Sequence, residues 1–229
     1  AVRRRRKEGA GHAARRWHAL PPCGAEVCHS VDMSRHDLRM PERLFLARHG
    51  QTAWNHEHRL QGRLDSPLTD AGIGHAREIA RRLEGAGVGI VCTSPLGRAR
   101  RTAEIVAEHL GAEIVVVDEL AEVDHGSFAG RTWAELEEAY PGVRALRSEN
   151  RYGWAFPGGE SYASARPRAL RALEECAWAG TGTPLLVTHE MIGRLLRGAM
   201  RGYGHGDTLA LRHPHGIVLE VSRASERVL

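Results

Sequence analysis

Long apolar runs are missing from this chain of 229 residues. None approaches the ~18 residues that cross a bilayer as a helix, so a helical membrane protein is excluded and a soluble one expected. Cysteine is scarce. Cys23, Cys28, Cys92 and Cys176 form neither a disulfide framework nor a paired zinc pattern, which fits a reducing cytosol and a cytoplasmic location. The G-x-x-x-x-G-K-[ST] phosphate loop is absent. HEMIGR, residues 189–194, begins like a zinc-protease helix, but Gly193 stands where the second histidine is needed. GAGVG, residues 85–89, precedes an apolar run instead of following one, so it is a turn and not a dinucleotide fingerprint. Internal repeats and interdomain linkers are also absent.

The chain has 42% hydrophobic residues and a formal net charge of +4. The length suits one domain with an appendage. The charge is unevenly placed. Residues 1–40 hold nine Lys and Arg against four Asp and Glu, and the remainder 23 against 24. A nucleic-acid surface is therefore not expected on the body. The first 40 residues show no helical or strand period and few large apolar side chains, so a disordered basic segment is expected there. They have no apolar signal-peptide core, and an organelle transit peptide is the alternative that the Arg-rich composition leaves. Met33 and Met40 precede the first strand, and we expect residues 1–32 or 1–39 to come from a misplaced start or from flanking sequence.

From residue 41 to 229 short apolar runs alternate with longer periodic ones. Strands are expected at 43–47, 89–94, 113–120, 183–189, 207–212 and 216–222, and helices at 70–87, 97–111, 132–140, 161–179 and 191–200. Pro167 lies inside the fourth helix, which should break there or begin late, with Ser164 as its cap. Strands alternating with helices imply an α/β fold, a three-layer α/β/α sandwich around a mostly parallel sheet.

In such a sheet ligands sit beyond the carboxyl ends of the strands. The residues that follow the strands are Arg48-His49-Gly50, then Ser94 and Arg98, then Glu122, then His189. Singly, each has an ordinary reading as a solvated charge or a satisfied polar residue. Together they bring two arginines, two histidines and a glutamate to one edge. Arginine holds phosphate oxygens bidentately. A neutral His49, its other N–H held by an acceptor and its charged form disfavoured by Arg48, can attack phosphorus. Gly50 lets the backbone turn and approach closely. Glu122 can protonate the leaving alkoxide and later deprotonate water. Fixed donors would carry most of the catalysis. HPH, residues 213–215, could bind metal, but two histidines in a loop more often do not. No metal or organic cofactor is expected.

At this point the chain resembles the histidine phosphatase superfamily, phosphoglycerate-mutase-like branch, from about Arg43 to Val221. RHGQTAWN resembles the phosphohistidine motif and implies His49 as nucleophile, with Arg48, Thr52 and Asn55 around the phosphate. RLQGRLDSPLTDAG resembles the following segment, with Arg59, Gln61, Gly62, Asp65 and Leu68 in place. SPLGRARRTA implies Arg98 as the second arginine. LAEVDHGSFAG implies Glu122 as general acid, followed by Gly126 and Gly130. PGGES resembles the loop before a core helix, and LLVTHE implies His189 as the second phosphate-binding histidine. ALRSENRYGWAFPGGESY, residues 145–162, resembles the corresponding segment of the bisphosphatase domain that hydrolyses fructose 2,6-bisphosphate. That resemblance implies substrate contacts from Arg147, Arg151, Tyr162 and Arg194; Arg151 stands for a lysine there and Glu190 for a glutamine.

The expected function is hydrolysis of a small phosphorylated metabolite, a sugar phosphate or bisphosphate. Phosphoglycerate mutase is the alternative, but mutases of this type carry a long insertion with an Arg pair. Glu122 and His189 here are only 67 positions apart with no Arg-Arg between them. A catalytically silent binding or regulatory member is the alternative of another class, which the intact catalytic set argues against. Nothing in the sequence fixes the oligomeric state. A chain that begins at Met40 should keep full activity and thermal stability; a loss of either in a side-by-side assay would make the first 39 residues part of the working protein.

Overall fold

The computed structural model describes residues 40–179 and 182–229. Residues 1–39 of the expected disordered segment, with Cys23 and Cys28, lie outside them, while Met40, its last residue, packs against the core. Six strands form one sheet in the order β3-β2-β4-β1-β5-β6. They are β1 (Arg43–Arg48), β2 (Ile90–Thr93), β3 (Glu113–Val116), β4 (Leu185–Thr188), β5 (Val218–Ser222) and β6 (Glu226–Val228). The first four in that order run parallel, and β5 and β6 complete one side antiparallel.

Both faces of the sheet are covered, as the near-continuous apolar strands require. Phe45 and Ala47 of β1, with Leu185 and Val187 of β4, point to one side. There they meet Ile79 and Ala80 of α2 (Asp70–Arg82) and Ala103 and Val106 of α3 (Gly97–Leu110). Leu44, Leu46 and Leu186 point to the other side. They meet Leu173 of α6 (Tyr162–Trp178) and Ile192 and Leu196 of α7 (Glu190–Arg201). Strand period two thus feeds two separate cores. The short helix α1 (Ala53–His56) follows β1, while α4 (Trp133–Ala139) and α5 (Val143–Glu149) form an outer segment before α6.

Four expectations are corrected. The strand at 113–120 stops at Val116, and residues 118–120 turn as a 3-10 helix that buries Leu120. Residues 207–212 form no strand. They lie largely in helix α8 (His205–Ala210), because β6 takes the free edge of β5 and Thr208 instead packs on α7 at Gly198. Helix α6 neither breaks nor starts late. Ser161 is its N-cap, and Ser164 is the third helical residue of a reciprocal capping box, so Pro167 falls inside. Gly50 does not serve a positive-φ turn; a Cβ there would lie 2.2 Å from the carbonyl oxygen of Gly72 in α2. The glycine lets the loop after β1 touch a helix backbone.

Pro167 is exposed and forfeits a single helical bond, to the Ala163 carbonyl. A helix-interior proline costs ~3 kcal/mol relative to alanine, partly offset by its stiffening of the unfolded chain. Pro167→Ala should therefore stabilise the protein by about 2 kcal/mol in urea unfolding; an unchanged or lower midpoint would show that the helix has absorbed the proline without strain.

Candidate active site

At the carboxyl edge of β1, β2 and β4 lies a cavity of about 490 Å³. Its floor is built by strand ends. Arg48 closes β1 and His49 follows, its N–H bonded to the Thr188 carbonyl at 2.9 Å so that the ladder with β4 extends one residue beyond the strand. His189 follows β4 and forms the N-cap position of α7. Ser94 follows β2, and Arg98 is the second residue of α3.

His49 is 2% exposed. Its Nδ1–H donates to the Gly50 carbonyl at 2.7 Å, which leaves Nε2 as the lone-pair nitrogen. Arg98 Nε donates to that Nε2 at 3.2 Å. Burial first, then Arg98 and Arg48, holds the His49 pKa well below 6.5. The expected repulsion by Arg48 acts in the same direction as burial and Arg98. The remaining Arg98 donors are anchored on the carbonyls of Leu64 (2.7 Å) and Gly62 (2.8 Å) and on Asp65 (3.1 Å). His189 lies beside His49, with ring centroids 5.1 Å apart. Its Nε2 meets Ser94 Oγ at 2.8 Å, and its buried Nδ1 is unpartnered. Burial, then Arg98, lowers its pKa well below 6.5.

Arg48 pairs with Glu190 at 3.0 Å and keeps a buried, unpartnered Nε. Glu190 also pairs with Arg194. It is thus a bridge between two cations. Glu122 is buried, and its carboxylate accepts from the N–H groups of Val123 (2.9 Å), Met191 (3.2 Å) and Ile192 (3.2 Å). The last two lie in the first turn of α7.

The structure gathers His49, Glu122, Arg48 and Arg98 into the cavity wall; His189 is fully buried and not among the lining residues, but its ring lies beside that of His49. Asn55, Gln61, Gly62, Arg147, Arg151, Tyr162 and Arg194 also line it. Thr52 does not. It is fully buried, and its backbone N–H and hydroxyl both donate to Asn55 Oδ1. Thr52 is a cap that orients Asn55, whose NH2 remains for a ligand. Tyr162 and Arg194 are bonded to each other at 2.8 Å, and Arg194 further donates to the Leu211 carbonyl. Two further arginines have fewer partners. Arg151 has a buried, unpartnered Nε. Arg147 lies 5.4–6.0 Å from the ring centroids of Trp133, Phe156 and Trp154, and burial, then Arg151, lowers its pKa.

Sequence reasoning missed His125, Trp133, Phe156 and His215. His125 had a signal, three residues after Glu122. His215 lay in the loop considered for metal; its Nδ1 instead donates to the His49 carbonyl at 2.6 Å. His213 is buried against Gly193, where a Cβ would lie 2.0 Å from its ring Nδ1, so the position that breaks the zinc-protease pattern is glycine for lack of space. Trp133 and Phe156 carry no sequence signal. Among the described residues no helix is long and apolar enough to cross a membrane.

A buried neutral imidazole among fixed guanidinium groups, beyond the carboxyl ends of parallel strands, defines a site suited to phosphoryl groups. The chain belongs to the histidine phosphatase superfamily, branch 1, whose family model matches residues 44–228. A probable phosphoglycerate mutase, GpmB, of Cronobacter sakazakii is 38% identical over 149 residues, covering 65% of this chain and 69% of that protein. A mycobacterial glucosyl-3-phosphoglycerate phosphatase, solved with VO3, is 29% identical with a TM-score of 0.69, covering 82% of this chain and 96% of the other. YhfR of Bacillus stearothermophilus is 30% identical with a TM-score of 0.70, covering 81% and 94%.

The buried histidines carry a consequence for stability. Burial, then Arg147, pushes His125 down to about 3, and burial, then Arg48, pushes His215 down to about 4. His213 is well below 6.5, again by burial first and then Arg48. Below pH 6.5 the unfolded chain binds protons at these histidines and the folded chain does not, so stability falls as pH falls. Each contributes up to about 1.4 kcal/mol per pH unit. Urea unfolding between pH 7.5 and 5 should show a falling free energy with uptake of several protons; a flat profile would mean that these rings are already charged in the folded state.

Proposed function

We propose that this protein is a phosphomonoester hydrolase that works through a phosphohistidine on His49. The observation that carries the reading is the His49 tautomer: Nδ1–H is held by the Gly50 carbonyl, and Nε2, which accepts from Arg98 Nε, carries the lone pair of a ring that lines the cavity. Nε2 attacks phosphorus in line, the P–O bond breaks, and the leaving alkoxide takes a proton from Glu122. Arg98 Nε–H, now on Nε2, is within reach of a phosphoryl oxygen bound at that nitrogen. Arg48 Nε, the Asn55 amide and His189 Nδ1 supply further donors, so the charge of the transition state meets a preorganised shell. Water, deprotonated by Glu122, then attacks the phosphohistidine and releases phosphate. Each step has a side chain of this chain assigned to it and calls for no metal or organic cofactor.

The substrate in this reading is a small phosphorylated metabolite with a second anionic group. Arg147 and Arg151, both short of anionic partners, hold that group, while Trp133 and Phe156 offer apolar surface to the part between. Arg194 and Tyr162 support the wall and hold Glu190. Phosphoglycerate mutase is the second reading, favoured by the name of the curated relatives. Against it stands the short interval between Glu122 and His189, which leaves little chain to exclude water from the intermediate. A catalytic domain over residues 41–229 is part of the proposal.

His49→Ala should abolish turnover, and acid-labile phosphate should appear on His49 in quenched wild type. Turnover that survives the substitution, or that a chelator removes, would rule the mechanism out. A panel of phosphorylated sugars, glycerates and nucleotides, scored by kcat/KM, should give free phosphate and not an isomeric phosphate ester. Arg147→Ala should lower kcat/KM for a bisphosphate by about 10-fold or more, the value of a lost charge-assisted contact; a bisphosphate hydrolysed as well by Arg147→Ala and Arg151→Ala as by the parent would remove the second-anion site.

A further inference from the structure

Glu122 sits on a loop without regular structure beyond its 3-10 turn, residues 117–125, yet the role proposed for it needs a carboxyl held within a fraction of an ångström. Four consecutive carbonyls of that loop are taken by side chains from elsewhere. Arg168 of α6 donates through Nη1 to Glu119 (2.8 Å) and Ala121 (2.6 Å) and through Nη2 to Glu122 itself (3.1 Å). Thr188, the residue before His189, donates its hydroxyl to Leu120 at 2.9 Å. Arg168 is 8% exposed. Its other two donors go to the carboxylate of Glu160, Nε to Oε1 at 2.9 Å and Nη2 to Oε2 at 2.8 Å. All five guanidinium hydrogens are then used inside the protein. Glu160 closes the ring. Its carboxylate also accepts from the Asp124 N–H at 2.9 Å, and its own N–H donates to the Asp124 carbonyl at 2.9 Å.

We propose that Glu160 and Arg168 are positioning residues that clamp the loop 119–124 and so aim the Glu122 carboxyl at the leaving-group oxygen. Neither lines the cavity, so both act through Glu122. The fork of arginine fits because it reaches carbonyls on two sides and a carboxylate on the third; lysine, a point charge, satisfies fewer of these acceptors. The orphaned carbonyls would then draw water into the loop and broaden the Glu122 position. The inference rests on the role of Glu122 given above.

The test separates leaving groups. 4-Nitrophenyl phosphate leaves without a proton, and glycerol 3-phosphate needs one. For each, kcat/KM reports the step that forms phosphohistidine. Glu122→Gln, as the control, should lower kcat/KM for glycerol 3-phosphate by about 100-fold or more, the usual contribution of a general acid, with little change for the aryl ester. Arg168→Lys and Glu160→Gln should show the same selective loss, about 10-fold on the alkyl ester, and Arg168→Lys should add little to Glu122→Gln in the double variant. Equal losses on both substrates, no loss, or failure of both variants to fold by circular dichroism would overturn the clamp and leave a purely structural pair. If Glu122→Gln does not discriminate, the acid role itself is wrong and the clamp falls with it; if it alone discriminates, only the clamp is wrong.

Discussion

The site depends on one contact between a cation and an imidazole that cannot be charged. Arg98 Nε faces His49 Nε2 at 3.2 Å, both groups almost wholly buried. A second positive charge at that distance, out of water, would be strongly unfavourable, so the ring stays neutral and its lone pair stays directed. The rest of the edge is arranged to keep that contact intact. The Gly50 carbonyl fixes the opposite nitrogen, and Gly62, Leu64 and Asp65 take the other ends of the guanidinium. Gly50 and Gly72 bring α2 close enough to pin the loop from behind.

The same logic extends outward through bridging groups. Glu190 joins Arg48 to Arg194, and Arg194 joins Tyr162. A buried cation without partners costs several kcal/mol, and each of these has just enough partners to remain in place while keeping some capacity toward the cavity. Where capacity is spent, as in Arg168, the side chain supports structure. Where it remains, as at Arg48 Nε and Arg151 Nε, the side chain can serve a ligand.

Much of this was legible in the sequence. Apolar runs of the right length, separated by amphipathic helices, implied a mostly parallel sheet and hence the edge at which Arg48, Arg98, Glu122 and His189 gather. Capping signals were legible but misassigned: Ser161 and Ser164 both had cap chemistry, and only the packing of Tyr162 into the core selected the first. Residues 207–212 read as strand because Thr, Leu, Ala and Leu fit either state, and the missing information was that β6 had taken the sheet edge. The outer helix α5 left no clear periodic signal in its seven residues.

The substrate side was the least legible. Thr52 and Asn55 lie three residues apart in one motif, and nothing in their chemistry says which one caps and which one faces the cavity. Arg147, Arg151 and Arg194 are equivalent on paper. Their difference arises from what surrounds each: aromatic rings for Arg147, no partner at Nε for Arg151, and Tyr162, Glu190 and the Leu211 carbonyl for Arg194. The sequence by itself determined the fold class and the edge at which the candidate site residues gather, because strand and helix periods act locally and strand ends carry their next residue with them. Only the tertiary structure decided which donors remain free, because hydrogen-bond capacity is settled by neighbours distant in the chain.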